Sequence, residues 1–406
     1  MKIRHFDCFS GPGGITCGFK AAGISTMVAV EKVESCAITF SANHPEVRMF
    51  NQDIRSLGAV ELAPWVGKID IVTAGMPCET FSTAGSSSRQ TYDHRQVLFK
   101  EGIRIADFVG APFLLLENVP AITTKKLHRG GDRLVLDEIA DCLDEFGYQN
   151  RIMCVLNAAD FGIPQFRKRF FILASRLDVS LRSPKSLFSK SISVQDAFEG
   201  LPEINANDVN YSTTISKHSK QNAYVSRLRD PAFWKSGTLN SQISYHVPPK
   251  HRPRTLKRFA LIEQGEGLKD LFEKFGKAQT KRLQEDGILP NRWYIQRNRR
   301  LVSDSKSPTV TSHCLDELIH PFKDRSVTVR EAARLQSFPD HYDFAGGPFI
   351  CPHIYETQDK YEQIGDAVPP LLAFAWGETI AEMIGESREP ERVLQRDLQR
   401  GIQAVA

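Results

Sequence analysis

The sequence lacks the cysteine patterns that hold a metal ion or cross-link a small fold. Its eight cysteines are spread over 406 residues, with no CxxC pair and no cysteine–histidine group at zinc spacing. The short run Cys351-Pro352-His353 is the nearest approach, and it carries little weight as a metal site. We therefore expect neither a metal centre nor a disulfide framework.

The sequence also has no segment that marks export or membrane insertion. It shows no charged-then-apolar amino-terminal signal and no apolar run long enough to span a bilayer. A reducing, cytoplasmic setting is therefore expected. The formal net charge of +4 is too small to indicate a nucleic-acid partner, so the distribution of the charge matters more.

The length of the chain exceeds that of a usual single hydrophobic core, which favours two domains. Predicted strands and helices alternate up to about residue 174, the pattern of a doubly wound α/β sheet. From about Arg176 this pattern degrades into sequence rich in Ser, Asn and Lys, so we predict a domain boundary there.

A glycine-rich turn follows the first predicted strand. It reads Asp7-Cys8-Phe9-Ser10-Gly11-Pro12-Gly13-Gly14, and an amphipathic helix follows it. Glycines in such a turn let a ligand approach the backbone closely. Because Thr16 stands where the dinucleotide fingerprint GxGxxG requires glycine, an NAD-type site is disfavoured.

Acidic residues follow the next two predicted strands. Glu31 ends the second strand, where a carboxylate is placed to accept hydrogen bonds from a ribose. Asp53 stands at the predicted tip of the third strand, where it could accept from an adenine amino group. A surface salt bridge is the alternative for Glu31. Together with the glycine-rich turn, these two acidic residues at strand ends predict a site for a nucleoside cofactor that has no pyrophosphate group to bind.

Cys78 comes just past a buried strand predicted over residues 69–74, where open α/β sheets keep their ligands. Pro77 fixes φ and so can aim the cysteine rigidly into a crevice. An inert core thiol is the alternative, since free cysteines are usually buried. The polar stretch that follows, residues 82–95, is predicted to be a loop rather than a regular element.

Glu117 ends the next predicted strand, residues 112–116, which places Glu117 and Cys78 at the same edge of the sheet. Further on, Gln165-Phe166-Arg167-Lys168-Arg169 leads into a final apolar strand. Thr328 and Glu331 have the spacing of a capping box at the start of a helix that Pro339 ends.

The stretch from Lys250 to Arg300 carries 14 Lys and Arg against 6 Asp and Glu. Five aromatic residues are interleaved with them: Phe259, Phe272, Phe275, Trp293 and Tyr294. A solvated basic face is the usual meaning of such a run, but basic residues mixed with aromatics also suit a nucleic-acid backbone.

Taken in order, these motifs resemble those of the DNA (cytosine-5)-methyltransferase family. The matching segments are the glycine-rich turn, Pro77-Cys78 with Phe81-Ser82, Glu117-Asn118-Val119, the QxRxR run 165–169, the block 328–339, and Gln363-Ile364-Gly365 with Val368-Pro369-Pro370. The unmatched middle corresponds to the variable target-recognition domain of that family. The resemblance implies three parts: residues 1–178 and 321–406 form the catalytic domain, and residues 179–320 the target-recognition domain.

The resemblance implies methyl transfer from S-adenosylmethionine to C5 of a cytosine flipped out of duplex DNA, through a covalent bond between Cys78 and C6. The implied catalytic residues are Cys78, Glu117, Arg167 and Arg169, with Arg167 on the base oxygen O2 and Arg169 orienting Glu117 or forming a strand-end salt bridge. The implied cofactor-binding residues are Phe9, Ser10, Gly11, Gly13, Gly14, Glu31, Asp53, Ile54, Pro77, Leu98, Asp366 and Val368. Ser82 and Arg95 are the implied DNA contacts.

The resemblance further implies a monomeric, nucleoid-associated enzyme, with a cognate restriction endonuclease acting on the same site. Three residues depart from the usual family pattern: Glu79 for Gln, Gln96 for Gly and Asp366 for Asn. We expect Asp366 to lie in a turn and to cap the following helix, with cofactor contact as the alternative.

Two other functions stay open at this point. One is a tRNA cytosine-5 methyltransferase, although that branch usually carries a Cys-Phe-Thr run that this sequence lacks. The other is a catalytically silent DNA-binding paralogue, in which Cys78, Glu117 and Arg167 would be expected to decay.

Overall fold

Seven strands form one sheet in the order β3-β2-β1-β4-β5-β7-β6. The computed structural model describes residues 2–76, 97–127, 132–186, 191–215, 221–236, 241–292, 295–351 and 357–405, with side chains up to Arg388. The strands are β1 Arg4–Cys8, β2 Ser25–Val30, β3 Arg48–Phe50, β4 Ile71–Gly75, β5 Phe113–Asn118, β6 Asn150–Asn157 and β7 Lys168–Ser175. The first five strands pair in parallel, whereas β7 runs antiparallel to both β5 and β6.

The helices of the sheet domain connect or cover these strands. They are α1 Gly14–Ala21, α2 Glu34–Asn43, α3 Ala59–Leu62, α4 Phe99–Phe108 and α5 Val135–Glu145. The later helices are α6 Val194–Phe198, α7 Ala223–Leu228, α8 Pro231–Trp234, α9 Pro253–Phe259, α10 Leu268–Lys274, α11 Lys277–Glu285, α12 Cys314–Glu317, α13 Val329–Leu335, α14 Lys360–Asp366 and α15 Pro370–Val405.

The sheet is covered on both faces, so its central strands are buried. All six residues of β5 are buried, as expected for a strand with helices above and below it. One core joins the sheet to α4 and α5, and the other joins it to α1, α13 and α15. The predicted doubly wound α/β fold is therefore confirmed.

The direction of β7 was not part of the prediction. A buried strand reads as the same apolar run in either direction, so periodicity does not encode it. The reversal brings the first residues of β7 to the carboxyl end of β5, where Asn118 pairs with Phe170. This places the QxRxR run at the edge where the site was predicted.

The middle of the chain contributes to two different cores. Residues from α6 to α8, such as Val194, Tyr224 and Trp234, pack into the core beneath the sheet. A separate small cluster is formed by Phe259, Ile262, Leu268, Leu271, Leu289 and Ile319. Beside it, β8 Arg299–Arg300 and β9 Leu318–Ile319 form a two-stranded parallel sheet.

The capping box predicted at Thr328 is confirmed. Thr328 caps α13 through its hydroxyl, and the Glu331 carboxylate accepts from the Thr328 backbone N–H. Glu331 also pairs with the Arg325 guanidinium at 2.7 Å, and both side chains are buried. Burial raises the pKa of Glu331, but the charge and hydrogen bonds of Arg325 lower it by more. The pKa of Glu331 is therefore below its usual range.

The turn expected around Asp366 is wrong. Asp366 is the exposed last residue of α14, and its carboxylate accepts a hydrogen bond from Gln358 at 2.9 Å. The N–H of Leu371, in the first turn of α15, instead donates to the Ser337 hydroxyl at 3.1 Å. Residue 366 thus ends α14, and α15 begins at Pro370, after the non-helical residues 367–369.

Within the described part of the chain, none of the helices is both long enough and apolar enough to cross a membrane.

Candidate active site

The carboxyl ends of the parallel strands form one edge of the sheet. β1 lies between β2 and β4, so the strand order runs outward from β1 in two directions. In open α/β sheets the crevice at such a switch point is the usual place for a ligand. The glycine-rich turn follows β1, Glu31 follows β2, and Glu117 lies near the end of β5, so these predicted site residues share this edge.

The glycine-rich turn has the backbone that its sequence requires. Gly11 and Gly13 both have positive φ, of 53° and 102°. Phe9 also has positive φ, at 57°, which is uncommon for a residue with a side chain. A Cβ on Gly14 would lie 2.2 Å from the Val368 carbonyl oxygen, so this glycine lets the late segment approach the turn. Val368 is therefore brought against the turn, and its cofactor contact stays a prediction.

The turn also offers unused hydrogen-bonding capacity toward a ligand. The Ser10 hydroxyl is buried and has no hydrogen-bond partner among the described residues. A Cβ on Gly11 would meet no atom within 4 Å, so space is open beside that residue. A buried polar atom normally has a partner, so this hydroxyl has the capacity for a further hydrogen bond.

Glu31 braces the turn from the neighbouring strand. Its carboxylate oxygens accept from the N–H groups of Gly11, at 2.8 Å, and of Val33, at 2.7 Å. Burial raises the pKa of Glu31, and these hydrogen bonds oppose the shift. The carboxylate therefore accepts from backbone N–H groups and does not form, among the described residues, the surface salt bridge that was the alternative for Glu31.

Asp53 has a different environment from that of Glu31. It caps a short 3₁₀ helix, Ile54–Ser56, and its carboxylate is held by the Arg55 guanidinium at 2.7 and 2.9 Å. This pairing holds the pKa of Asp53 well below its usual range. Ile54 is buried, and Leu98 packs against the same core.

A closed ring of buried polar side chains lies beneath the turn. The Asp7 carboxylate accepts from the hydroxyls of Thr73 and Thr16, both at 2.7 Å. His5 joins the ring, with Nε2 2.7 Å from the Thr73 hydroxyl and Nδ1 2.8 Å from that of Thr26. Burial raises the pKa of Asp7 to about 6, although the two threonine hydrogen bonds oppose the shift.

This raised pKa predicts a pH dependence of stability. The folded protein holds a proton on Asp7 up to about pH 6, whereas an unfolded Asp releases it near pH 4, so the free energy of unfolding falls between these values as pH rises. The shift corresponds to roughly 3 kcal/mol. Asp7→Asn keeps a donor and an acceptor but does not titrate. Urea unfolding from pH 4 to 7 should show wild type losing about that much relative to the variant; parallel curves would contradict the assignment.

Glu117 and Arg169 form a nearly buried ion pair. The Arg169 Nε lies 3.0 Å from the Glu117 carboxylate, and the two side chains are 12% and 10% exposed. Burial raises the pKa of Glu117, and the charges of Arg169 and Arg167 oppose this rise. The result is a carboxyl that keeps its proton more readily than an exposed glutamate and remains oriented by an arginine.

Arg167 does not occupy the position predicted for it. Its side chain is fully buried, and its guanidinium donates to the carbonyl groups of Val310, Gly365 and Ala367 at 2.7, 2.7 and 3.0 Å. The prediction that Arg167 holds the base oxygen O2 therefore needs correction, because these carbonyls commit the guanidinium to the late segment. Arg169 is the arginine that pairs with Glu117, and its role in catalysis stays a prediction.

Two glutamines that the sequence did not single out as site residues connect the same segments. Gln165 Nε2 donates to the Leu335 carbonyl at 3.1 Å, and its oxygen accepts from the N–H of Val310. Gln336 Nε2 donates to the carbonyls of Ile364 and Ala367. Each belongs to a motif quoted above, so the available signal was the motif rather than any local pattern.

The strand that leads toward Cys78 ends beside Glu117. Gly75 pairs with Glu117 across β4 and β5, and a Cβ on Gly75 would lie 3.5 Å from the Glu117 carboxylate. Asn118 donates to the Met76 carbonyl at 3.4 Å, which fixes the exit of β4. The predicted residues Pro77, Cys78, Glu79, Ser82, Arg95 and Gln96 lie outside the described residues. Their roles stay predictions.

One group of possible metal ligands occurs among the described side chains. Cys351, Asp359 and Glu362 place their ligand atoms within 4.8 Å of one another. Asp359 caps α14, and the Glu362 carboxylate accepts from the Asp359 N–H in the same capping box. A helix cap accounts for both acids, so we assign no metal here.

The comparisons with known proteins agree with these motifs. The family model for "C-5 cytosine-specific DNA methylase" matches residues 3–382. The type II methyltransferase M.DdeI of Desulfomicrobium norvegicum is 33% identical over 93% of this chain and 88% of its own length. Type II methyltransferase M1.HphI of Haemophilus parahaemolyticus is 29% identical over 94% and 88%. The crystal structure of a putative DNA modification methyltransferase encoded within an E. coli prophage shares the fold, with a TM-score of 0.70, 24% identity and coverage of 95% and 100%.

Proposed function

The chain belongs to the C-5 cytosine-specific DNA methylase family and is a DNA (cytosine-5-)-methyltransferase, and we propose that it methylates a cytosine flipped out of duplex DNA, using S-adenosylmethionine and a covalent bond to Cys78. The observation that carries this mechanism is the buried Glu117–Arg169 pair beside the strand that leads into Pro77-Cys78. An acid and a nucleophile are the two groups that cytosine activation needs, and Cys78 follows β4 in the sequence by three residues.

The chemistry follows from the weak nucleophilicity of cytosine C5. The Cys78 thiolate adds to C6, and the electron pair of the C5–C6 double bond then becomes available at C5. Glu117 supports this step by donating its proton toward ring N3, and its raised pKa suits that role. After C5 has gained a methyl group, it loses its proton to a base not assigned to any residue, and the thiolate leaves C6.

The two arginines of the QxRxR run, Arg167 and Arg169, have different proposed roles. We propose that Arg169 orients Glu117 and faces the O2 side of the flipped base, because its guanidinium lies at the carboxylate. Arg167 is proposed to hold the late segment, whose Val368 carbonyl reaches Gly14. Its effect on catalysis would therefore be exerted through the cofactor pocket.

The residues at the glycine-rich turn fit S-adenosylmethionine. Ser10 offers an unpartnered buried hydroxyl, Gly11 has open space beside it, and Glu31 lies where a ribose would be bound. We propose that Ile54, Leu98 and Val368 form apolar walls of the cofactor pocket, and that Asp53 and Asp366 lie at its polar edge. The donor supplies an electrophilic methyl group on a sulfonium. The residues of this chain bind it, orient it and exclude water.

The basic middle of the chain is the proposed DNA-binding part of the target-recognition domain. An open cleft of about 710 Å³ lies against the small core and is lined by Lys250, Arg252, Arg254 and Arg292, all of them exposed. Arg258 lines it too, but its guanidinium is bonded to the Ile288 carbonyl and to Asn298. We therefore propose that the exposed cations contact DNA phosphates. The domain bounds remain a proposal.

A charge-removal experiment tests this cleft. Arg252→Ala/Arg254→Ala should make the plot of log binding constant against log salt shallower by up to about 1.8, because each lost phosphate contact removes about 0.9. The matched control is Lys2→Ala/Lys68→Ala, which removes two exposed lysines at the amino edge of the sheet. Equal slopes for the two variants, measured by fluorescence anisotropy, would place the cleft away from DNA.

The proposed reaction is tested by sequencing and by substrate choice. Bisulfite sequencing of DNA from cells expressing the protein should show 5-methylcytosine at one short sequence. Purified protein with tritiated S-adenosylmethionine should label duplex DNA carrying that sequence. Label in tRNA and none in DNA would favour the tRNA enzyme, and label in neither would favour the silent paralogue. Two relatives are type II methyltransferases, which supports the proposal of a cognate endonuclease at the same sequence.

A further inference from the structure

The turn after β1 is held from behind by a tyrosine that lies 330 residues away in the sequence. The hydroxyl of Tyr342 donates to the Pro12 carbonyl oxygen at 2.5 Å. The Tyr342 ring is buried and packs against Phe338 and Phe344, with centroid distances of 4.8 and 5.5 Å. Tyr342 therefore holds the turn through a residue next to Gly11, whose own side has open space.

His44 completes this contact, and the hydrogen-bond pattern assigns its tautomer. Its Nε2 lies 3.3 Å from the Tyr342 oxygen. The single proton of that hydroxyl goes to Pro12, so the oxygen is an acceptor toward His44. Nε2 therefore carries the hydrogen, and the ring also makes a hydrogen bond to the Gly13 backbone. Nδ1 is then a lone-pair acceptor, and it has no partner among the described residues. Burial lowers the pKa of His44 to about 3, which keeps the ring neutral.

The approach of these side chains to the turn is close. A Cβ on Gly13 would lie 2.6 Å from the Tyr342 oxygen and 3.1 Å from the His44 ring. Next to this contact, Glu31 accepts from the N–H of Gly11. The turn is thus fixed at two successive residues, at the Gly11 N–H by Glu31 and at the Pro12 carbonyl by Tyr342.

The backbone that carries Tyr342 is itself fixed. The Arg330 guanidinium donates to the carbonyls of Pro339 and Tyr342 at 3.0 and 2.8 Å. Asn43, at the end of α2, exchanges two hydrogen bonds with the backbone of Asp343, at 2.7 and 2.9 Å. The hydroxyl therefore has little freedom to move with the turn.

We propose that Tyr342, oriented by His44, is a positioning residue that sets the affinity of the glycine-rich turn for the methyl donor. The inference rests on the proposed function, because the ligand of the turn is the proposed S-adenosylmethionine. Without the hydroxyl, the Pro12 carbonyl is buried and unpaired, and the turn relaxes away from the conformation that presents Ser10 and Gly11.

The test compares two tyrosines that lose the same kind of hydrogen bond. The Tyr224 hydroxyl is also buried and donates to a backbone carbonyl, that of Arg334, at the same 2.5 Å. Tyr342→Phe should weaken S-adenosylhomocysteine binding on the order of tenfold by calorimetry, as expected for a buried carbonyl left unpaired. Tyr224→Phe should lower the melting temperature similarly but leave this affinity unchanged.

Steady-state kinetics distinguish a loss of cofactor positioning from a general loss of folded, active enzyme. For Tyr342→Phe, KM for S-adenosylmethionine should rise while kcat at saturating donor stays within about twofold, because the reacting groups are untouched. Equal affinity losses in the two Phe variants, or none in Tyr342→Phe, would overturn the inference. If wild type itself failed to bind S-adenosylhomocysteine, the proposed function would fail instead.

Variants of His44 keep the inference testable should Tyr342→Phe fold poorly. A glutamine places its amide N–H near the imidazole Nε2, so His44→Gln should retain the donor to Tyr342 and nearly wild-type affinity. His44→Leu fills the space without a donor and should weaken S-adenosylhomocysteine binding severalfold. Equal affinities for these two variants would overturn the assigned tautomer and the positioning role with it.

Discussion

Cys78→Ser is expected to lower methyl transfer by at least about 10³-fold while S-adenosylhomocysteine binding and the melting temperature change little. The reason is chemical: a serine hydroxyl is almost fully protonated at neutral pH, whereas a cysteine thiol reaches its nucleophilic thiolate form readily. Without addition at C6, cytosine C5 remains part of an aromatic ring and does not take up a methyl group.

The matched control for this substitution is Cys154→Ser. Cys154 is a half-buried thiol on the edge strand β6, and burial raises its pKa to about 11. Such a thiol is inert at neutral pH, so its replacement should leave turnover unchanged. A Cys78→Ser enzyme that turned over within tenfold of wild type would remove Cys78 from the mechanism.

Glu117→Gln is expected to slow turnover by roughly 10²–10⁴-fold, the usual loss for a general acid. Glutamine keeps the size of the side chain and its hydrogen bond from Arg169, but it has no acidic proton to give to ring N3. Affinity for S-adenosylhomocysteine should stay the same, because the Glu117 carboxylate pairs with Arg169 on β7 and not with the glycine-rich turn among the described residues. Single-turnover kinetics would show the loss in the chemical step.

Glu138→Gln provides the matched control for Glu117. It changes another glutamate that is paired with an arginine, Arg133 at 2.8 Å, and that also pairs with Lys100, but that lies on α5 rather than on a strand. Its turnover should equal that of wild type. A change in cofactor affinity with normal turnover in Glu117→Gln would show that Glu117 had been assigned the wrong role.

The features predicted correctly from the sequence are those set by short-range spacing. Thr328 and Glu331 stand three residues apart, and this spacing alone defines a capping box. Glu117 follows an apolar run of strand length, and the carboxyl ends of parallel strands share an edge, so its position near the end of β4 could be foreseen.

The roles of Arg167 and Arg169 could not be read from the sequence. The two arginines are two residues apart in an extended segment and belong to the same motif, so local pattern treats them alike. Arg169 lies within β7 and reaches Glu117 on the neighbouring strand. Arg167 precedes the strand and meets the carbonyls of Val310, Gly365 and Ala367, which only the folded chain brings there.

The support of the glycine-rich turn by Tyr342 was invisible for a related reason. A tyrosine near the end of a helical block predicts burial, but nothing local to it identifies a proline carbonyl at the other end of the chain. The same holds for Asp366. The preference of aspartate for helix caps favoured a turn at this residue, but Asp366 is the last residue of α14 in the folded chain. Tertiary contacts decide such positions against local propensity.

Covalent trapping on 5-fluorocytosine DNA tests the central claim most directly. Fluorine at C5 does not leave as a proton does, so the bond between Cys78 and C6 should persist after methyl transfer. With S-adenosylmethionine, wild type should form a denaturation-resistant adduct with duplex DNA containing 5-fluorocytosine in place of cytosine, and peptide mapping should locate it at Cys78. Cys78→Ser should form none. Two results would contradict the account. One is that wild type methylates the unsubstituted duplex but forms no adduct with the 5-fluorocytosine duplex. The other is an adduct on any other cysteine.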